Sequence, residues 1–170
     1  HYFDSQEDDS SVQAYASNVL DGDQSTLWHT EWVDSDRAHP HEIQLKLDST
    51  YQLSAFSYLP RQSGSNGRIK DYEFYVSMND SVWGEPVADG TWLDNSSEKI
   101  VEFTSQKAQF VRLVALSEVN DNPWTSISEL NLFKASDSTG TKVQEKESLA
   151  SGFKLYNNYP NPFNPSTNLH

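Results

Sequence analysis

The sequence predicts an all-β domain built as an antiparallel sandwich or barrel, and three features carry that expectation. Apolar residues alternate with polar ones over short runs, as in Ile43, Leu45 and Leu47 or Tyr72, Phe74 and Val76, which is the period-two pattern of a half-buried strand. Such runs recur about every 8–12 residues with turn signals between them. Before residue 134 no stretch holds a helical period for long.

Taken in order, residues 1–17 are polar and acidic (Glu7, Asp8, Asp9) until Val12, Ala14 and Ala16 begin to alternate, which reads as a short lead-in strand. Trp28 falls on a strand and is expected in the core, and Trp83 and Trp92 are expected to be packing residues as well. His39-Pro40-His41 reads as a turn whose two histidines face solvent. One strand is expected over 43–47 and another over 53–59, the second stopped at Pro60, which has no N–H to give a ladder. Residues 61–68, R-Q-S-G-S-N-G-R, form a glycine-punctuated loop. A strand over 72–76 follows, then turns at Asn79-Asp80 and Gly84-Glu85-Pro86, and two separate strands over 100–103 and 110–116. Residues 120–123 are a loop carrying Trp124, and a last strand over 127–133 closes the domain.

Composition narrows the partners. The chain carries 25 acidic against 12 basic residues, a net charge of −13. That field repels polyanions, so nucleic acid is excluded as a partner and a neutral ligand or a cation is expected. There is no cysteine, hence neither disulfide framework nor thiol chemistry. No apolar run approaches the roughly 18 residues of a membrane helix. Twelve per cent of the residues are aromatic, five of them Trp, a surplus that suits a β core and a binding face. The chain begins at His1 without a Met and is expected to be a piece of a longer protein.

The most informative stretch is 18–30, N-V-L-D-G-D-Q-S-T-L-W-H-T. It gathers the oxygens of Asp21, Asp23 and Thr26 around Gly22 and runs straight into Trp28 and His29. Clustered hard oxygens suit Ca²⁺, which takes about 6–8 of them. An EF-hand is excluded by count, because counting from Asp21 the sixth position is Thr26 and the twelfth is Trp32. The plain alternative is an Asx-turn, with Asp21 accepting from its own backbone around Gly22. For a sugar, Trp32 and Trp124 are loop-borne candidates for the aromatic platform under a pyranose face, Trp32 being preferred. A zinc set of His29, His39 and His41 is disfavoured, since no general base accompanies it. Nucleophilic catalysis has no support, with no G-x-S-x-G and no Ser beside a His–Asp pair.

Six blocks in order carry a resemblance: D-S-Q-E at 4–7, N-V-L-D-G-D-Q-S-T-L-W-H-T-E-W at 18–32, L-P-R-Q-S-G-S-N-G-R-I at 59–69, W-G-E-P-V-A-D-G-T-W at 83–92, V-R-L-V-A-L-S-E at 111–118 and N-P-W-T-S-I-S-E-L at 122–130. Through them residues 1–134 resemble the discoidin, or coagulation-factor type C, superfamily, and within it the family 32 carbohydrate-binding modules. The resemblance implies a jelly-roll β-sandwich of the galactose-binding type that binds sugar and does no catalysis. It implies a structural calcium held by the backbone carbonyls of Asn18 and Ser128, the side chains of Asp21, Asp23 and Glu129, and the carbonyl and hydroxyl of Thr26. It also implies that His29, Arg61 and Asn66 hold a galactose-type ligand. Where many members carry a Glu before the calcium loop this chain has Val12 and Gln13, which leaves either Gln13 as a neutral acceptor or no contact there. The runner-up is an adhesion-type discoidin domain that binds protein or phospholipid. The acidic loop at Glu31, Asp34 and Asp36 opposes docking on an anionic membrane.

Residues 135–152 are small, polar and charged, the composition of a linker. Residues 153–170 contain L-Y-N-N-Y-P-N-P-F-N-P-S-T and resemble the opening of the type A sorting domain of the type IX secretion system. That implies export and residence outside the cell, with the segment expected to be a truncated remnant without its own fold. The whole is expected to be tethered to a catalytic domain of the same parent chain.

Overall fold

The computed structural model describes residues 2–9, 12–33 and 37–135. The expected linker and sorting segment, beyond residue 135, and Asp34 and Asp36 of the acidic loop lie outside the described residues.

The strands are β1 (Tyr2–Phe3), β2 (Trp28–His29), β3 (His41–Leu59), β4 (Asp71–Ser77), β5 (Ala88–Thr91), β6 (Lys99–Ala115), β7 (Ser126–Ile127) and β8 (Glu129–Lys134). Every pairing between them is antiparallel. Two expectations about strand boundaries are corrected here. The runs at 43–47 and 53–59 belong to one 19-residue strand, and those at 100–103 and 110–116 to one of 17 residues. Exposed polar residues in the middle of each run imitate a turn in the sequence, yet the chain stays extended because β3 and β6 pair with each other on both sides of the break.

The break turns the sheet from one layer to the other. Lys46 pairs with Phe110 and Tyr51 with Ala108, so residues 47–50 lie opposite Gln109 alone, a large bulge in β3. Before it, the first half of β3 sits between β1 and β6, with β4 and β5 beyond. After it, the second half of β3 sits between β6 and β8. Aromatic contacts show that the two layers face each other: the ring of Phe56, on the second half of β3, stacks on Phe74 of β4 at 3.8 Å between centroids. Trp92 closes the same seam against Tyr72 at 3.7 Å and Tyr58 at 4.7 Å. Along β3 the predicted alternation holds for Ile43, Leu45 and Leu47, which are buried with more exposed residues between them.

The lead-in strand is also corrected. Residues 16–20 form a 3₁₀ turn (Ala16–Leu20), and Gln13 before it has φ +53°. Ala14 makes a single bridge to Glu7, and Ala16 and Val19 point into the core. The small apolar residues that imitate alternation therefore serve a tight turn and not a ladder. Trp28 is fully buried and its Nε1–H donates to the Ser5 carbonyl at 2.9 Å. Trp92 packs on the core as expected, and Trp83 lies over the Arg112 guanidinium.

Replacing Phe56 with alanine removes a ring held on three sides by Phe74, Tyr72 and Trp92. The expected loss is about 3–5 kcal/mol of folding stability. Urea unfolding should show a lower midpoint at unchanged slope.

Candidate functional site

At one end of the sandwich the two-stranded ladder β2–β7 sets His29 opposite Ser126. His29 is pinned on both main-chain sides, its N–H donating to the Ala14 carbonyl and its carbonyl accepting from Glu7 N–H. Trp28, the neighbour pointing the other way, anchors the ladder in the core, so the alternation of a strand is what turns His29 outward.

The His29 ring lies 2.6 Å by Nδ1 from the Thr30 carbonyl. A carbonyl only accepts, so Nδ1 carries the proton and Nε2 is left as an acceptor. Burial lowers the imidazole pKa to about 4, and the nearby Arg61 charge adds to the effect. The ring is therefore neutral at physiological pH. Its edge meets Trp32, with centroids 4.4 Å apart at 76°, and Trp124 stands 6.3 Å away.

His29, Trp32 and Arg61 line one cleft of about 350 Å³, together with Val12, Gln13, Ala14, Tyr15, Asn18, Ser25, Thr26 and Leu27. Gln13 thus stands in the wall where the sequence offered it as a neutral acceptor. Among the described residues, Asn66 and Trp124 fall outside that lining. Asn66 is exposed, and its carbonyl accepts from Arg61 Nη1–H at 3.0 Å and from Ser126 Oγ–H at 3.0 Å. Arg61 Nε–H donates to Ser63 O at 2.7 Å, so the loop's own carbonyls aim the guanidinium. Burial of this side chain lowers its pKa. Gly67 follows at φ +80°, and a Cβ there would meet Ser126 N at 2.7 Å, so only glycine lets the loop close on β7.

Two buried carboxylates brace this end, and sequence reasoning gave neither a role. Glu7 Oε2 accepts the N–H groups of Trp32 and Val33 at 3.1 and 3.2 Å, which fixes the backbone of the preferred platform. Glu118 holds the loops around Gly67 and Asn120. Their only signal in the sequence is that each acid closes a block, D-S-Q-E or L-S-E, that carries the resemblance. Tyr15, Ser25 and Leu27 of the cleft were also missed; Ser25 and Leu27 lie in the 18–30 stretch, but nothing in their own residue types marks them as cleft residues.

The expected metal ligands come together only in part. Asp21 Oδ1 accepts Asp23 N–H at 2.8 Å, which is the Asx-turn, and Asp21 Oδ2 accepts the Thr26 hydroxyl at 2.8 Å. The Asp23 carboxylate takes both the N–H and the hydroxyl of Ser25. The Asn18 carbonyl faces the same turn, accepting Asp21 N–H at 3.4 Å. Ser128, between β7 and β8, and Glu129, the first residue of β8, are both buried. Glu129 is raised to about 7, first by burial and then by the Asp21 carboxylate it bonds, and its Oε1 is buried with no hydrogen-bond partner. Among the described residues no three His, Asp or Glu side chains converge on one point closely enough to hold an ion.

The histidine pair is corrected as well. His41 does not face solvent: it is buried, with Nε2–H donating to Pro123 O at 2.9 Å and Nδ1 3.4 Å from Asp4 Oδ2. His39 is half-buried, with Nε2 3.2 Å from Thr125 Oγ1. Both rings thereby hold the loop that carries Trp124.

Known proteins resemble the chain over this same region. The sequence model of the F5/8 type C domain matches residues 4–130. Galactose oxidase of Gibberella zeae is 41% identical over 125 residues, covering 72% of this chain and 18% of its own length. A sialidase of Micromonospora viridifaciens is 40% identical over 118 residues, with coverage of 69% and 18%. This chain therefore spans less than a fifth of the length of either relative. A Clostridium perfringens family 32 module solved with GalNAc-β-1,3-galactose superposes with a TM-score of 0.71 at 35% identity, covering 78% of this chain and 92% of that one. A second module from that organism, solved with galactose, gives 0.67 at 34% identity, with coverage of 77% and 90%.

The depressed imidazole pKa has a consequence for stability. In the unfolded chain His29 titrates near 6.5 and in the fold near 4, so between those values the unfolded state binds the extra proton. Stability from this group is then full above pH of about 6.5 and is lost as pH falls toward 4, by about 3 kcal/mol. Wild type should lose stability relative to His29→Gln over that interval, measured by urea unfolding at stepped pH.

Proposed function

Because the chain belongs to the F5/8 type C domain family, we propose that it is a non-catalytic carbohydrate-binding module holding a galactose-type sugar in the His29 cleft. One observation carries this reading: a neutral imidazole acceptor, a forked guanidinium donor and an indole ring share one open cleft. A sugar hydroxyl both donates and accepts, so one hydroxyl can give its proton to His29 Nε2 and accept from Arg61. A site built this way rejects an epimer that points the hydroxyl elsewhere, because His29 and Arg61 are then left unpaired. Trp32, backed by Trp124, offers the apolar face a pyranose ring needs, and Asn66 and Gln13 supply further polar contacts. The affinity of so shallow a site is micromolar to millimolar, since few ligand atoms leave water.

The calcium belongs to this proposal. Its support is the hard-oxygen donor set and the buried, unpartnered Glu129 Oε1 beside Asp21. Asn18 and Ser128 would contribute carbonyls, Asp21, Asp23 and Glu129 side chains, and Thr26 its carbonyl and hydroxyl. The ion would relieve the repulsion between Glu129 and Asp21 and tie the early loop to β8. The module is proposed to work outside the cell, exported by the type IX route its C-terminal segment resembles, and tethered to a catalytic domain that it keeps on a polysaccharide or glycoprotein. Modules like it sit in long multidomain relatives.

A second reading, an adhesion-type domain binding protein or phospholipid, is favoured by Val12 and Val33, exposed at 46% and 60% beside the cleft. Co-sedimentation with anionic vesicles tests it.

Calorimetric titration with galactose and N-acetylgalactosamine should saturate for wild type. In Arg61→Ala the affinity should fall by about tenfold to a hundredfold, the worth of a charged hydrogen bond. A folded wild type that gives no heat would sink the assignment.

Chelation should lower the melting temperature. A ligand at a hundred times its Kd contributes about 2.7 kcal/mol, or roughly 10 °C for a domain of this size. Glu129→Gln should melt at one temperature with and without calcium.

A further inference from the structure

We infer that Glu118 is a positioning residue for sugar recognition, a buried carboxylate that helps set the Arg61–Asn66 loop against the Trp124 loop; this rests on the reading of the His29 cleft given above. Glu118 is 1% exposed and lies just beyond the end of β6 at Ala115. Its Oε1 accepts Gly67 N–H at 3.1 Å and Asn120 Nδ2–H at 3.3 Å, and its Oε2 accepts the N–H groups of Asn120 and Asn122 at 2.6 and 3.0 Å. Among the described residues no Lys or Arg forms an ion pair with it. A carboxylate buried this way, compensated by amide donors alone, is a costly device for mere stability. A short backbone bridge joins the two segments, Ile69 opposite Glu118 with Val119 N–H donating to Arg68 O at 3.0 Å, and the carboxylate extends that registration into the loops on either side.

The geometry on either side is what the carboxylate controls. On one side Gly67 is the hinge of the loop: its carbonyl accepts Ser126 N–H at 2.6 Å, and the carbonyl of Asn66, one residue earlier, receives Arg61. On the other side Asp121, between the two asparagines Glu118 holds, has φ +60°, a left-handed backbone outside glycine that persists only when its surroundings hold it. Two residues beyond Asn122 stands Trp124. Asn120 adds a second tie, its Nδ2 lying 3.1 Å from Ser65 Oγ. Losing the carboxylate would therefore loosen the guanidinium and the indole relative to each other, the backbone bridge at Ile69 remaining, while leaving His29, on the β2–β7 ladder, where it is. Apparent affinity then falls because the binding-competent arrangement is no longer preformed.

The test is Glu118→Gln, which keeps the shape but replaces one acceptor oxygen by a donor. Galactose affinity by calorimetry is expected to fall about tenfold or more, the effect of leaving buried amide donors unpaired. The entropy of binding should become less favourable, and amide exchange should speed up at Gly67, Asn120 and Asn122. Calcium affinity should not move, because the Asp21–Glu129 region shares no hydrogen bond with Glu118; a general loss of structure would weaken both ligands together. Asn120→Ala, at an exposed position, is the milder variant should Glu118→Gln not fold, and about a threefold loss is expected from it by the same argument. Wild-type galactose affinity in a folded variant overturns the inference alone, as does equal weakening of calcium and sugar. A wild type that binds no sugar overturns the sugar reading and this inference with it.

Discussion

The pairing of β3 with β6 is the constraint on which the rest of the molecule depends. Each strand is long enough to serve both layers, and the bulge at 47–50 is where the sheet turns over. Everything that closes the core follows from it: β4 and β5 add to one half, β8 to the other, and Phe56, Phe74, Tyr72 and Trp92 meet across the seam. It also brings the loop after β3, with Arg61, next to the loop after β6, with Glu118, because both strands end at the same face of the sandwich. Tyr58 secures that corner, its buried hydroxyl donating to Ser126 O at 3.2 Å and accepting Ile69 N–H at 3.1 Å.

Above that frame, the functional end is held by buried polar groups and not by regular structure. Glu7 fixes the Trp32 backbone, Glu118 joins two loops, Thr30 and Thr125 exchange hydrogen bonds, and His41 holds Pro123. Loops without a ladder must satisfy their N–H and C=O groups in some other way, and a carboxylate with two oxygens can accept several donors at once. This makes the end rigid without making it apolar, which suits a ligand that presents hydroxyls on its edges and carbon on its faces. The strongly acidic remainder of the chain is compatible with that task, because a neutral sugar feels little of the field.

The loop at Asp21 is a different case. Its carboxylates are placed by local turns, each satisfied by a neighbour two residues on, whereas Glu129 arrives on β8, more than a hundred residues later, and has one oxygen without a partner. The local half of that arrangement is what a hydrogen-bonding chain does with D-G-D-Q-S-T in any context. The unsatisfied half exists only because β8 delivers an acid there.

The strand alternation at 43–47 and 72–76, the core place of Trp28, the open loop at 61–68 and the closing run at 127–133 were all legible in the sequence, because each follows from spacing within a few residues. So were His29 and Arg61, through the resemblance of the matched blocks, and Trp32, as a loop-borne aromatic; Asn66 and Trp124, expected with them, fall outside the cleft lining. The join of the split runs into single strands was not legible, since it depends on which partner lies alongside, and neither was the burial of His41, which a residue of the N-terminal segment and a loop carbonyl near Trp124 decide. The braces Glu7 and Glu118 were hidden for the same reason: a carboxylate declares its purpose only when donors from distant loops converge on it. Sequence by itself determined the elements, their faces and the chemistry on offer, because those are local. Tertiary structure alone decided which of these groups are aimed, since aiming requires hydrogen bonds between residues tens of positions apart.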